Sequence, residues 1–81
     1  MIKKELIPLP EFRRLVDCGG VSEFGIIKQA GIYYVFALNN AVGRAYYLRE
    51  ARGGFRGWSR LDRAGGFLEG LGVKAYTVKL I

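Results

Sequence analysis

The stretch FGIIKQAGIYYVFALNN, residues 24–40, constrains the fold of this chain more than any other. It is dense in β-branched and aromatic residues, it breaks once at Ala30-Gly31 where a tight turn can sit, and Asn39-Asn40 close it. The pattern predicts two strands, at about residues 24–29 and 32–38. The remaining elements have to be arranged around that pair.

Upstream, PLPEFRRLVDCGG places Phe12, Leu15 and Val16 at helical spacing, with Pro10 suited to a first turn and Gly19-Gly20 able to end a helix in left-handed geometry, so a helix is expected at about 10–18. Downstream, RAYYLREA reads as a third strand, Gly53-Gly54 as the centre of a two-residue type I′ turn, and FRGWS as the returning fourth strand. SRLDRAGGFLEGLG follows. Ser59 and Asp62 have capping-box spacing, and Leu61, Ala64, Phe67, Leu68 and Leu71 form one apolar stripe, which predicts a helix at about 60–70. Gly65-Gly66 weakens it by roughly 1 kcal/mol per glycine, a cost usually accepted for close approach to a sheet. VKAYTVKL alternates as a last strand, with Tyr76, Val78 and Leu80 on one face. The expected order is αββββαβ: an antiparallel meander of about four strands plus a C-terminal strand, with the helices on one side, hence α+β. No repeat, linker or low-complexity segment interrupts it, so residues 1–81 are expected to form one small domain.

Composition narrows the function. Apolar residues make up 51% of the chain and charged residues 25%, which is globular rather than disordered. One cysteine cannot form an internal disulfide, and no apolar core follows the N-terminal lysines as in a signal peptide, so a cytoplasmic protein is expected. The longest apolar stretch, Ala30 to Leu38, is about half of a membrane span, and no membrane insertion is expected. Net charge is +6, and between Arg44 and Arg63 six arginines face two acids, Glu50 and Asp62, so two-thirds of the excess lies in a quarter of the chain. Every base in that window is arginine, the side chain that forks onto phosphate and stacks on rings.

With Gly53 and Gly54 at the turn, Arg49 falls opposite Trp58 and Tyr47 opposite Arg60. One face of the hairpin then carries Tyr46, Leu48, Phe55, Gly57 and Ser59 and can pack under a helix. The other carries Tyr47, Arg49, Ala51, Arg56, Trp58 and Arg60, with Arg44, Arg52 and Arg63 at its edge. Guanidinium groups among flat rings suit phosphates and bases. The same face also suits an acidic protein partner, and Arg49 on Trp58 is equally an ordinary stabilising cation–π pair on a solvated sheet. A one-residue slip would exchange the two faces. Tyr33 and Tyr34 fall on opposite faces and are expected in core positions, and Cys18 is expected as a small apolar filler.

Catalysis is not expected. The chain has no histidine, and Ser22, Ser59, Thr77 and Cys18 are its only serine, threonine or cysteine side chains, so no triad can be assembled. Glu11, Asp17 and Glu23 have no metal-ligand spacing, the two common nucleotide-cradling glycine motifs are absent, and neither metal nor cofactor is expected.

At IPLPEF near the start, and over YYLREARGGFRGWSRLDRAGGFLEGLGVKAYTV near the end, the chain resembles small plasmid-encoded partition-associated proteins of bacteria. They share a strand, an arginine-rich turn, an SLD-type helix start and an LG-to-strand ending. The start here reads SRLD, and Gly65-Gly66 stands where alanines are usual. The resemblance covers about half the chain and implies an accessory role beside DNA-segregation proteins. The expectation is therefore a non-enzymatic accessory protein of plasmid maintenance that binds DNA with weak sequence specificity. The alternatives are docking on an acidic partner of a partition or defence complex, or a strand-paired homodimer.

Overall fold

The computed structural model describes residues 2–80. Its elements run β1 (Lys3–Ile7), α1 (Leu9–Cys18), β2 (Glu23–Gln29), β3 (Ile32–Asn39), β4 (Arg44–Leu48), β5 (Gly57–Trp58), α2 (Leu61–Gly70) and β6 (Thr77–Leu80). The central hairpin forms as expected. Ala30 and Gly31 take φ of 51° and 80°, the two positive angles of a type I′ turn, and Gln29 pairs with Ile32 across it. At the far end of β3 the Asn39 side chain accepts a hydrogen bond from the Ala41 amide at 3.1 Å and starts the next turn.

The sheet is mixed, not antiparallel as expected. Its order is β1-β4-β3-β2-β6, with β1 parallel to β4 and β6 parallel to β2. A parallel neighbour needs a crossover, and here α1 carries the chain from β1 to β2 while α2 carries it from β5 to β6. The order is βαββββαβ, because KKELI forms an outer strand ahead of the first helix. The meander also differs: β5 is two residues long and pairs with β3, Tyr33 to Trp58 and Tyr34 to Gly57, rather than with β4. β4 and β5 therefore lie end to end along one side of β3. The last strand begins at Thr77 rather than near Val73, and all four of its residues are exposed, Val78 and Leu80 included.

Both helices cover one face of the sheet. α1 contributes Phe12, Leu15 and Val16, and Gly19 at φ 71° ends it by donating its amide to the Leu15 carbonyl. α2 contributes Ala64, Phe67 and Leu68. They close over Ile7, Ile26, Val35, Ala37 and Leu48, all nearly inaccessible. The close approach expected at the glycine pair belongs to Gly65 alone, and its neighbour is a side chain: a Cβ there would stand 2.3 Å from the Tyr76 hydroxyl, whereas Gly66 faces open space. The capping box does not form. Arg60 is the N-cap of α2, with no side-chain cap, and Asp62 instead accepts from Arg60 Nε at 3.2 Å. Cys18 is exposed at the end of α1 rather than buried as filler.

No helix among the described residues covers the other face, which has a core of its own. Phe36, Ala45 and Tyr47 are buried there among Leu6, Ile27, Tyr34 and Leu38. Phe36 fits because Gly25, its cross-strand partner, has no side chain; a Cβ at Gly25 would stand 2.3 Å from the ring. Lysine stems supply part of the lid, with Lys4 Nζ 5.6 Å from the Tyr47 ring centre and Lys79 Nζ 5.6 Å from that of Phe36. Burial raises the Tyr47 phenol above its usual pKa.

Candidate nucleic-acid interface

Between Leu48 and Gly57 the chain leaves the sheet and closes on itself. The Arg56 amide donates to the Leu48 carbonyl at 2.9 Å, Arg49 bridges to Phe55, and the Gly53 amide donates to Glu50 at 2.9 Å in the tip turn. Gly53, at φ 99°, supplies the left-handed residue; Gly54 does not share that geometry. The hairpin centred on both glycines is thus replaced by a shorter closure, and Arg49 does not face Trp58.

This changes the two faces read from the sequence. Trp58 pairs with Tyr33 and turns toward the helices, where its ring is half-buried 4.9 Å from that of Phe67. Tyr47 lies on the opposite face of the sheet, 6% exposed. The expected flat platform of Tyr47, Arg49, Arg56, Trp58 and Arg60 is therefore split, because burying a large indole against Phe67 and completing the ladder of β3 outweigh a second hairpin. Arg44 also leaves the group. It sits at the start of β4, away from the loop, and pairs with Glu5 at 3.0 Å.

What remains together is arginine. Arg49, Arg52 and Arg56, with one acid, Glu50, among them, line an open groove of about 550 Å³ whose other wall is Pro8 and Leu9, the N-cap and first residue of α1. Arg60 and Arg63, with Trp58 and Phe67, line a second of about 520 Å³, and Gly57 belongs to both. Arg56 stands between them, its guanidinium carbon 5.0 Å from the Trp58 ring centre and 5.4 Å from that of Phe67. Stacking leaves its N–H edges free to turn outward and holds the side chain in place beforehand. Among the described residues Arg60 alone of these five is in an ion pair, with Asp62.

The topology explains the convergence. β1, β4 and β5 all run antiparallel to β3, and α1 and α2 follow β1 and β5 after short connections. Both helix N-termini consequently open at the end of the sheet where the arginine loop projects, adding the positive ends of two helix dipoles to it. The residues that sequence reasoning missed are Pro8 and Leu9, because β1 was not anticipated; the apolar pair Leu6-Ile7 behind two lysines was the available sign of a charged edge strand.

The chain matches no protein-family model, no curated protein and no solved structure. The site stands on its own geometry. No group of three or more metal-ligating side chains occurs among the described residues, and no helix there is long and apolar enough to cross a membrane.

Proposed function

We propose that the protein is a non-enzymatic nucleic-acid-binding accessory factor, acting in plasmid maintenance as the sequence resemblance implies, and that it grips the phosphate backbone with Arg49, Arg52, Arg56, Arg60 and Arg63. The observation that carries this reading is the pair of adjoining grooves, sharing Gly57 and lined by five arginines. Phosphate contacts position a nucleic acid without reading its sequence, so binding is weakly specific.

Three to five such contacts on duplex DNA give a log–log salt slope of about −3 to −4.5. Replacing Arg52 and Arg63 together by Ala removes two exposed side chains with little packing and flattens the slope by about two units. The test is fluorescence anisotropy of labelled duplex across salt concentrations, with Trp58 emission followed in parallel, since phosphate contact at Arg56 changes the surroundings of the indole beneath it. Absence of binding at low salt overturns the proposal and turns the search to an acidic protein partner for the same arginines.

A second reading rests on β6. This strand pairs only with β2 among the described residues, and its Leu80 is 71% exposed, so strand addition by a second copy would extend the sheet. Sedimentation velocity separates the resulting dimer from a monomer.

A further inference from the structure

Phe55 belongs to the arginine loop but points the other way, onto the face of the sheet that carries no helix. There it is 44% exposed and meets Tyr34 and Tyr47 edge-on, with ring centres 5.9 and 5.5 Å apart and planes inclined at 77° and 69°. With Lys4 and Gln29 these three rings surround a hollow of about 230 Å³. A second hollow of about 210 Å³ adjoins it, sharing Lys4 and Tyr47 and reaching Lys79. We propose that this ring-lined hollow is a base-binding pocket for single-stranded nucleic acid whose backbone lies along the arginine loop.

The chemistry selects that occupant. Phe55 and Tyr34, with the buried Tyr47 beside them, offer a flat ring surfaces to stack on, and stacking is indifferent to which base is present. The Gln29 amide, at the rim, presents a donor and an acceptor to a base edge. Lys4 and Lys79 supply cations for the flanking phosphates, continuing the charge of Arg49, Arg52 and Arg56 on the same loop. A cationic ligand of the kind that aromatic cages hold is disfavoured, because the Lys4 ammonium already stands over the Tyr47 ring. Duplex is disfavoured too, since its bases are stacked inside and only their edges reach the grooves. The loop thus has two working sides, guanidinium toward the helices and a ring toward the open sheet.

This inference rests on the nucleic-acid reading, and one experiment separates the two. Anisotropy titrations at low salt compare a short labelled oligothymidine with a duplex of the same length, using the wild type, Phe55→Ala and Phe55→Leu; a thermal melt of each variant checks folding. The wild type is expected to bind both forms. Phe55→Ala and Phe55→Leu are expected to weaken the single strand by roughly 5- to 100-fold and to leave the duplex unchanged. Gln29→Ala, an exposed change, is expected to weaken the single strand alone. Equal effects on both forms, or none, from variants that melt normally overturn the base pocket and leave the arginine site standing. Failure of the wild type to bind either form overturns both.

Discussion

Ala30 is the one described residue other than glycine with a positive φ, and it carries that strain in the two-residue turn between β2 and β3. Left-handed backbone costs an alanine about 1 kcal/mol that asparagine largely avoids, and Asn-Gly is the preferred type I′ pair. Ala30→Asn is therefore expected to raise the melting temperature by roughly 4–8 °C for a domain of this size, read by circular dichroism. Tyr47 shows a different residue-scale effect. Its phenol is buried, so the folded state keeps the proton to higher pH than the unfolded chain does. Below about pH 10 both states hold it and Tyr47 makes stability no function of pH. Above that the unfolded state ionises first, and stability falls until pH passes the raised folded value. Denaturant midpoints measured from neutral to strongly alkaline pH are expected to decline, and Tyr47→Phe is expected to make the decline shallower.

At the scale of elements, what could be read from the sequence was what depends on neighbours in the chain. The hairpin of β2 and β3, the run of α1 to its left-handed Gly19 and the apolar stripe of α2 are local patterns, and all three form. The segment from Arg49 to Trp58 was misread because its outcome depends on a distant partner. Gly57 and Trp58 join β3 at Tyr34 and Tyr33, and no spacing inside GGFRGWS indicates that. The register adds a further point. Tyr47 faces Phe36 and Gly57 faces Tyr34, so Val35 has the place opposite it that Leu48 would fill if the chain ran straight on to Gly57. Joining Leu48 directly to Gly57 removes residues 49–56 without shifting either piece along β3 or turning it over. This shortened protein is expected to fold, with a melting temperature close to the parent, and the proposed function requires it to lose most of the binding to nucleic acid. An unfolded product would show instead that the loop is part of the scaffold.

Across the whole molecule, the parallel outer strands were illegible for a physical reason. β1 and β6 are short, largely exposed and rich in lysine, and each exists because β4 or β2 offers a free row of amides and carbonyls. The clustering of arginine was legible and its geometry was not, since the loop, the start of α1 and the start of α2 meet only through the direction in which the strands run. That direction has one more consequence. β1, β2, β4 and β6 all point the same way, so the described chain enters beside Arg44, at the end remote from the arginine loop, and leaves after Leu80 at the end toward which that loop projects. A tether fused ahead of Lys3 would hold the molecule by its quiet pole and leave the basic one facing outward; one fused after Leu80 would crowd the approach of a large polyanion.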